Sequence, residues 1–151
     1  MNIEYSAFSG EYAEIVEIEN ECFTDPWTLS MFRESAESKL NYFYTARCNG
    51  RICGYILAGV ISPEAEIMSI AVKGEFRKMG IAERLIRDFI ASDMMKENEA
   101  IYLEVRVSNS AAIGLYEKIG FERLGIRKNY YRLPKEDALV MAYFSDREGK
   151  E

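Results

Sequence analysis

Apolar and polar positions alternate along this chain with two different periods, and the switches between them mark the elements. Residues 3–8 read as a first strand, which Gly10 ends. Residues 11–23 read as a helix whose more apolar positions are Tyr12, Ile15, Val16, Ile18 and Phe23. Pro26 disfavours helix at Asp25, and Thr28 is a good N-cap for a helix over 29–38. Two strands, 41–48 and 51–61, flank Asn49-Gly50, the signature of a type I′ hairpin turn. After the Ser62-Pro63 turn, residues 65–72 form a near-continuous apolar run, as in a buried strand. A short glycine-containing basic loop leads into a helix predicted from Arg77 to about Asn98, with a stripe at Ile81, Ala82, Leu85, Ile86, Phe89 and Ile90. Residues 100–107 read as another strand. Strand, helix, strand at this spacing predicts a parallel pair with a right-handed crossover. Ser108-Asn109-Ser110 caps a helix through Ile119, ended by Gly120. Residues 121–132, interrupted by Gly125, form a long strand or bent pair; 133–137 turn, and 138–144 form the last strand. These elements predict one α/β domain over residues 1–145, built on a mixed, mostly antiparallel sheet with a parallel centre. Residues 146–151 form a charged tail.

Composition narrows the function. The 151 residues are 48% hydrophobic, enough to fill one core. A net charge of −6 disfavours a nucleic-acid phosphate binder and suits a basic protein or peptide partner. No apolar run is long enough to span a membrane, and the N-terminus lacks signal-peptide features, so a cytoplasmic protein is expected. Cys22, Cys48 and Cys53 have no repeated spacing and read as reduced core fillers, with Cys48 and Cys53 diagonal neighbours across the hairpin. The chain has no histidine, which removes Ser-His-Asp and Cys-His schemes and most zinc sites. Acid–base work falls to Glu, Asp, Tyr, Lys or Cys, and no metal is expected.

Three places can carry chemistry. A strand that ends in a loop opening a helix aims free N–H groups at one point, where the helix dipole is positive; residues 73–82 are therefore either an anion site or a plain connection. Glu104 sits mid-strand between Leu103 and Val105, so its carboxylate needs a partner such as Arg106, a solvated face, or a function. Tyr116 shares a helix face with Ala112 and Ile119, as a core residue would, and Asn109 is placed to cap that helix. Trp27, beside Pro26, is either a core anchor or a substrate contact.

The motifs resemble the GNAT acetyltransferase superfamily. Arg77-x-x-Gly80-x-Ala82 follows a strand, Leu103-Glu104-Val105-Arg106 follows next, and Asn109, Ala112, Leu115, Tyr116, Gly120 and Phe121 stand at the spacing N-x-x-A-x-x-L-Y-x-x-x-G-F. Pro26-Trp27-Thr28, Ile70-Ala71-Val72, Arg127-Lys128-Asn129-Tyr130-Tyr131 and Glu136-Asp137-Ala138 resemble the bacterial RimI branch, which acetylates the N-terminal alanine of a small-subunit ribosomal protein. The resemblance implies that the two central parallel strands splay, with helices on both faces, and that acetyl-CoA lies in the gap as acetyl donor. It implies backbone pairing of that molecule with Ile70, Ala71 and Val72. It also implies a pyrophosphate loop at Arg77, Lys78, Met79, Gly80, Ile81, Ala82 and Glu83, and contacts from Asn109 and Tyr116. By the same resemblance Glu104 is the general base and Tyr116 the general acid. Ala82 departs from the glycine more usual there. Trp27, Tyr130 and Tyr131 are candidates for the acceptor groove, or else aromatic core.

The expected acceptor is a basic ribosomal-protein N-terminus. A peptide α-amine has a pKa of about 7.7–8.0 and a lysine about 10.4, so freeing lysine at neutral pH costs roughly 3–4 kcal/mol more. A single carboxylate therefore suits an N-terminus. A phenol near pKa 10 is a weaker acid than a thiol near 8.5, so complete transfer from Tyr116 to the leaving thiolate is uphill by about 2 kcal/mol in water. Acetylation of lysine or a polyamine on the same fold, and a non-catalytic acetyl-CoA-binding module, are the alternatives.

Overall fold

A computed structural model describes residues 2–145. The charged tail at 146–151 lies outside the described residues. Seven strands form one sheet: β1 (Ile3–Ala7), β2 (Asn41–Cys48), β3 (Arg51–Ile61), β4 (Glu64–Val72), β5 (Ala100–Arg106), β6 (Glu122–Arg132) and β7 (Lys135–Phe144). Their order is β1-β2-β3-β4-β5-β7-β6, with only β4 and β5 parallel. The helices are α1 (Tyr12–Cys22), α2 (Leu29–Glu37), α3 (Ile81–Ile90) and α4 (Ser110–Ile119). The strand alternation divides the core in two. Ile101, Leu103 and Val105 of β5 point to one face, where they join Leu85, Phe89, Ile113 and Ile119 of α3 and α4. Tyr55 and Leu57 of β3 and Ala71 of β4 point to the other, where they join Ile15, Ile18 and Phe32 of α1 and α2. The sheet is thus covered by helices on both faces, as expected.

Local chemistry fixes the turns. Asn49 and Gly50 both take positive φ, 54° and 80°, which a type I′ turn requires. Thr28 Oγ1 accepts the Met31 N–H at 3.3 Å, and Asn109 Oδ1 accepts the Ala112 N–H at 3.2 Å, closing the first turns of α2 and α4.

Several expectations are corrected. The helix expected from Arg77 to Asn98 is only α3, Ile81–Ile90, followed by a 3₁₀ turn at Asp93–Met95. Ser92 stops it: its Oγ donates back to the Phe89 carbonyl at 2.7 Å, competing with the helix ladder. The turn expected over 133–137 is shorter, because β7 begins at Lys135 and pairs with Arg132. Phe23, expected on the apolar stripe of α1, lies beyond the helix and is exposed, while Glu19 is buried in its place. Cys48 and Cys53 are not simple diagonal neighbours: the ladder shifts between Ala46 and Arg47, which leaves Cys53 without an opposite residue, and its thiol bonds the Ala46 carbonyl at 3.4 Å.

Candidate active site

The two parallel strands stay together for three residues only. Glu64, Ala65 and Glu66 pair with Ala100, Ile101 and Tyr102, and no pairing follows. Each strand keeps its other neighbour: β4 runs on against β3 to Val72, and β5 against β7 to Arg106. The parting coincides with a bulge. Leu57 lies opposite Ser69 and Ala58 opposite Ile67, so Met68 is the extra residue that bends β4. The edge of β4 from Ile67 to Val72, including Ile70 and Ala71, therefore presents backbone groups to an open gap.

Past the gap, the chain builds an anion cradle. Gly80 precedes α3 with φ 79° and has nothing within 4 Å of where a Cβ would sit; Lys78 also takes positive φ, 64°. The first intrahelical bond runs from the Arg84 N–H to the Gly80 carbonyl at 3.0 Å, and Gly80 supplies no side-chain cap. The preceding N–H groups thus point outward at the positive end of the helix. They open on a cleft of about 370 Å³ lined by Arg77, Lys78, Gly80, Ile81, Ala82 and Glu83, with Ala111, Leu115 and Lys118 of α4 opposite. Val72 and Phe76 close its floor. Arg77 turns back to anchor the loop: its Nε donates to the Val72 carbonyl at 3.3 Å and its Nη2 to Cys22 Sγ at 3.3 Å. Met79 and Asn109 do not line the cleft; Met79 is exposed and Asn109 caps α4. Replacing Gly80 with valine forces a β-branched residue into the left-handed region, costing about 1–2 kcal/mol of loop shape. The expected result is a KM for acetyl-CoA raised about tenfold with the acceptor KM little changed, read by initial rates over both substrates.

Glu83 and Lys118 tie the rim together. Arg87 at 2.9 Å, then Lys118 at 3.0 Å, hold the Glu83 carboxyl below its ordinary range. Lys118 escaped the sequence reading, although Ala111, Leu115 and Lys118 share one helix face, a pattern that marks a cleft wall. A larger hollow of about 420 Å³ lies against Leu40, Ile61 and Asn98, and no residue of β4 or β5 lines it.

The other side of the gap holds a carboxylate, Glu104 of β5. With Leu103 and Val105 facing α3 and α4, Glu104 points to the α1–α2 face. Its partner is Arg127 of β6, Oε2 to Nη1 at 2.6 Å, and not Arg106. Arg106 instead serves as a clamp. Its guanidinium donates to the carbonyls of Leu133 at 2.9 Å and Pro134 at 2.8 Å, pairs with Glu136 at 3.2 Å, and reaches Thr24 Oγ1 at 3.3 Å. Thr24 also bonds the Leu133 carbonyl, so the α1–α2 loop and the β6–β7 hairpin meet over this face. Arg106 stacks over the Tyr131 ring at 4.3 Å, Arg127 lies 5.0 Å from the centroid of Tyr130, and the two tyrosines meet edge to face at 5.1 Å. Trp27 packs on this same α1–α2 face: its half-buried ring lies 5.3 Å from Phe32, and its backbone N–H donates to Glu19 Oε2 at 2.9 Å.

Tyr116 comes from α4, on the opposite face. Its ring is buried beside Phe121, 5.7 Å between centroids, and burial pushes its hydroxyl up to about 12, with Tyr131 adding to the shift. Tyr131 in turn feels Glu104 and is also pushed up to about 12, chiefly by its own burial. Among the described residues, Asn98 Oδ1 is the only enclosed side-chain atom without a hydrogen bond, and no bond involves the Tyr116 hydroxyl; it therefore retains some open surface. No group of His, Cys, Asp or Glu among the described residues is placed to hold a metal ion, and no helix is long and apolar enough to cross a membrane.

Residues 12–121 match the acetyltransferase (GNAT) family. The chain is 39% identical over 128 residues to a Bacillus subtilis (strain 168) protein provisionally named a ribosomal protein bS18-alanine N-acetyltransferase, covering 84% of this chain and 85% of that one. The crystal structure of the ribosomal-protein-S18-alanine N-acetyltransferase from Escherichia coli superposes with a TM-score of 0.86 at 28% identity, over 95% of this chain and 94% of that one. A crystal structure of the NatC complex bound to Gag peptide and CoA matches with a TM-score of 0.85 at 25% identity, over 96% and 99%. The chain belongs to the GNAT family of acetyltransferases.

Proposed function

We propose that this enzyme moves acetyl from acetyl-CoA to the N-terminal α-amine of a basic ribosomal protein, with alanine as the first residue. The observation that carries the reading is Glu104, set in the face of β5 where β4 has just parted from it. The names of the Bacillus and Escherichia relatives support the substrate class, and the net charge of −6 suits a basic acceptor.

Acetyl-CoA is the acetyl donor and a substrate. The cradle at residues 77–83 fits a pyrophosphate by its free N–H groups and its helix dipole, and the unpaired edge at Ile70, Ala71 and Val72 fits a pantetheine chain. Glu104, directly or through water, takes the proton of the acceptor's ammonium. The free amine attacks the thioester carbonyl directly, without an acyl-enzyme. A backbone N–H near Val72 stabilises the charge that develops on the carbonyl oxygen. Tyr116 faces the departing sulfur. With its hydroxyl pushed up to about 12, full donation to a thiolate is harder than in water, so Tyr116 acts chiefly by donating a hydrogen bond as charge builds. Tyr130, Tyr131 and Trp27 are the candidates to flank the acceptor.

Mass spectrometry of paired peptides tests the reading. An alanine-starting basic peptide is expected to gain one acetyl at its N-terminus. Its N-blocked copy containing lysine is expected to gain none. Acetylation of the blocked peptide alone overturns the α-amine assignment.

A further inference from the structure

Arg127 sets a cation against Glu104. Arg127 reaches in from the edge strand β6, its guanidinium tip 2.6 Å from Glu104 while more than half of its side chain stays in solvent. A second carboxylate stands beside the first. Glu66 is opposite Tyr102, the last pair before the strands part, and Tyr102 and Glu104 alternate on the same face of β5. Glu66 and Glu104 are therefore diagonal neighbours at the mouth of the gap. Glu66 senses the pairing: it is held above the ordinary carboxylate range, first by its partial burial and then by Glu104, and Arg127 opposes the shift.

Two carboxylates at one point repel unless a cation joins them. Arg127 fills that role from an exposed strand, beside a ladder irregularity that runs from Arg127 to Tyr131 and contains Asn129 at φ 54°. A cation held only by its tip on such a segment is displaceable at little cost. The acceptor also arrives as a cation, since most of a peptide α-amine with a pKa of about 7.7–8.0 is protonated at neutral pH. We infer that Glu66 and Glu104 together form the seat for the acceptor's ammonium, and that the ammonium displaces Arg127 from this seat as it binds. Glu66 is thus a binding residue that selects a charged amine before Glu104 removes its proton. The inference rests on the proposed α-amine reaction, which it deepens.

Calorimetry on the full chain with CoA tests it, using an alanine-starting peptide and its des-amino copy with propionyl in place of alanyl. The amine peptide is expected to bind at least tenfold more tightly. Glu66→Gln is expected to weaken the amine peptide about tenfold and leave the des-amino peptide unchanged. Arg127→Gln is expected to tighten the amine peptide several-fold, because its competitor is gone. Equal weakening of both peptides by Glu66→Gln, or weaker amine binding in Arg127→Gln, overturns the inference. Failure of the underlying reaction is read separately, as absence of peptide acetylation by the unaltered enzyme in a turnover assay.

Discussion

Glu104→Gln is expected to lower kcat about 100- to 1,000-fold at pH 7 while leaving acetyl-CoA affinity within twofold. The size is that of a lost general base. Cofactor affinity holds because the cleft at residues 77–83 and its α4 wall do not include Glu104. The fold also tolerates the change. Among the described residues Glu104 pairs only with Arg127, which is already more than half exposed and returns to water cheaply. The pH dependence separates a base from a merely structural group. A peptide α-amine with a pKa of about 7.7–8.0 is roughly one-tenth free at pH 7 and mostly free by pH 9. The variant should therefore recover about tenfold relative to the unaltered enzyme over that interval, because solvent removes the proton that Glu104 no longer takes. Rates measured from pH 6.5 to 9.5 at saturating acetyl-CoA check this. A deficit that stays constant with pH rules out proton removal as the role of Glu104.

The parts of this site that are local in sequence were legible, and the parts that depend on distant segments were not. Asn49-Gly50, Thr28, Asn109 and Gly120 each act within a few residues, so their turns and caps follow from residue type alone. The parallel pairing of β4 and β5 follows from the spacing of strand, helix and strand. Their parting after Glu66 was available only through the family resemblance, since nothing in the apolar run over 65–72 marks Met68 as a bulge. The end of α3 is not legible, because residues 91–98 hold no glycine or proline to mark it, and Ser92 alone turns the chain. The partner of Glu104 lies 23 residues away on a strand whose register contains two irregularities, so parity counting does not find Arg127. Thr24 and the Leu133 carbonyl meet across 109 residues, a contact that only the closed sheet creates.

Glu19→Ala is expected to destabilise the protein by about 3–5 kcal/mol, although Glu19 looks like an ordinary charged position on a helix. Its side chain is 2% exposed. The Glu19 carboxyl accepts from the Tyr55 hydroxyl of β3, from Ser69 Oγ of β4 at 2.9 Å, and from the Trp27 backbone N–H at 2.9 Å. Tyr55 and Ser69 also meet each other at 3.0 Å. Burial, then the neighbouring Glu19, pushes the Tyr55 hydroxyl far above its usual range, so it remains a proton donor at any working pH. One side chain of α1 thus ties together two central strands and the end of the α1–α2 connection. Alanine leaves these donors in the core with at most each other as partners, and each unsatisfied buried donor costs about 1–3 kcal/mol. For a chain of this size that corresponds to a fall in Tm of about 10 °C. Glu19→Gln retains one acceptor oxygen but sets an amide N–H₂ against one of the donors, so its loss should lie between the two. The effect reaches the gap as well. Ser69 lies immediately after the Met68 bulge, on the segment of β4 that borders the gap, so freeing it loosens the edge proposed to pair with the donor. Thermal unfolding of the three proteins, with acetyl-CoA KM measured well below the lowest Tm, checks both parts. A Tm drop under about 2 °C for the alanine variant would mean that water replaces the carboxyl at no cost.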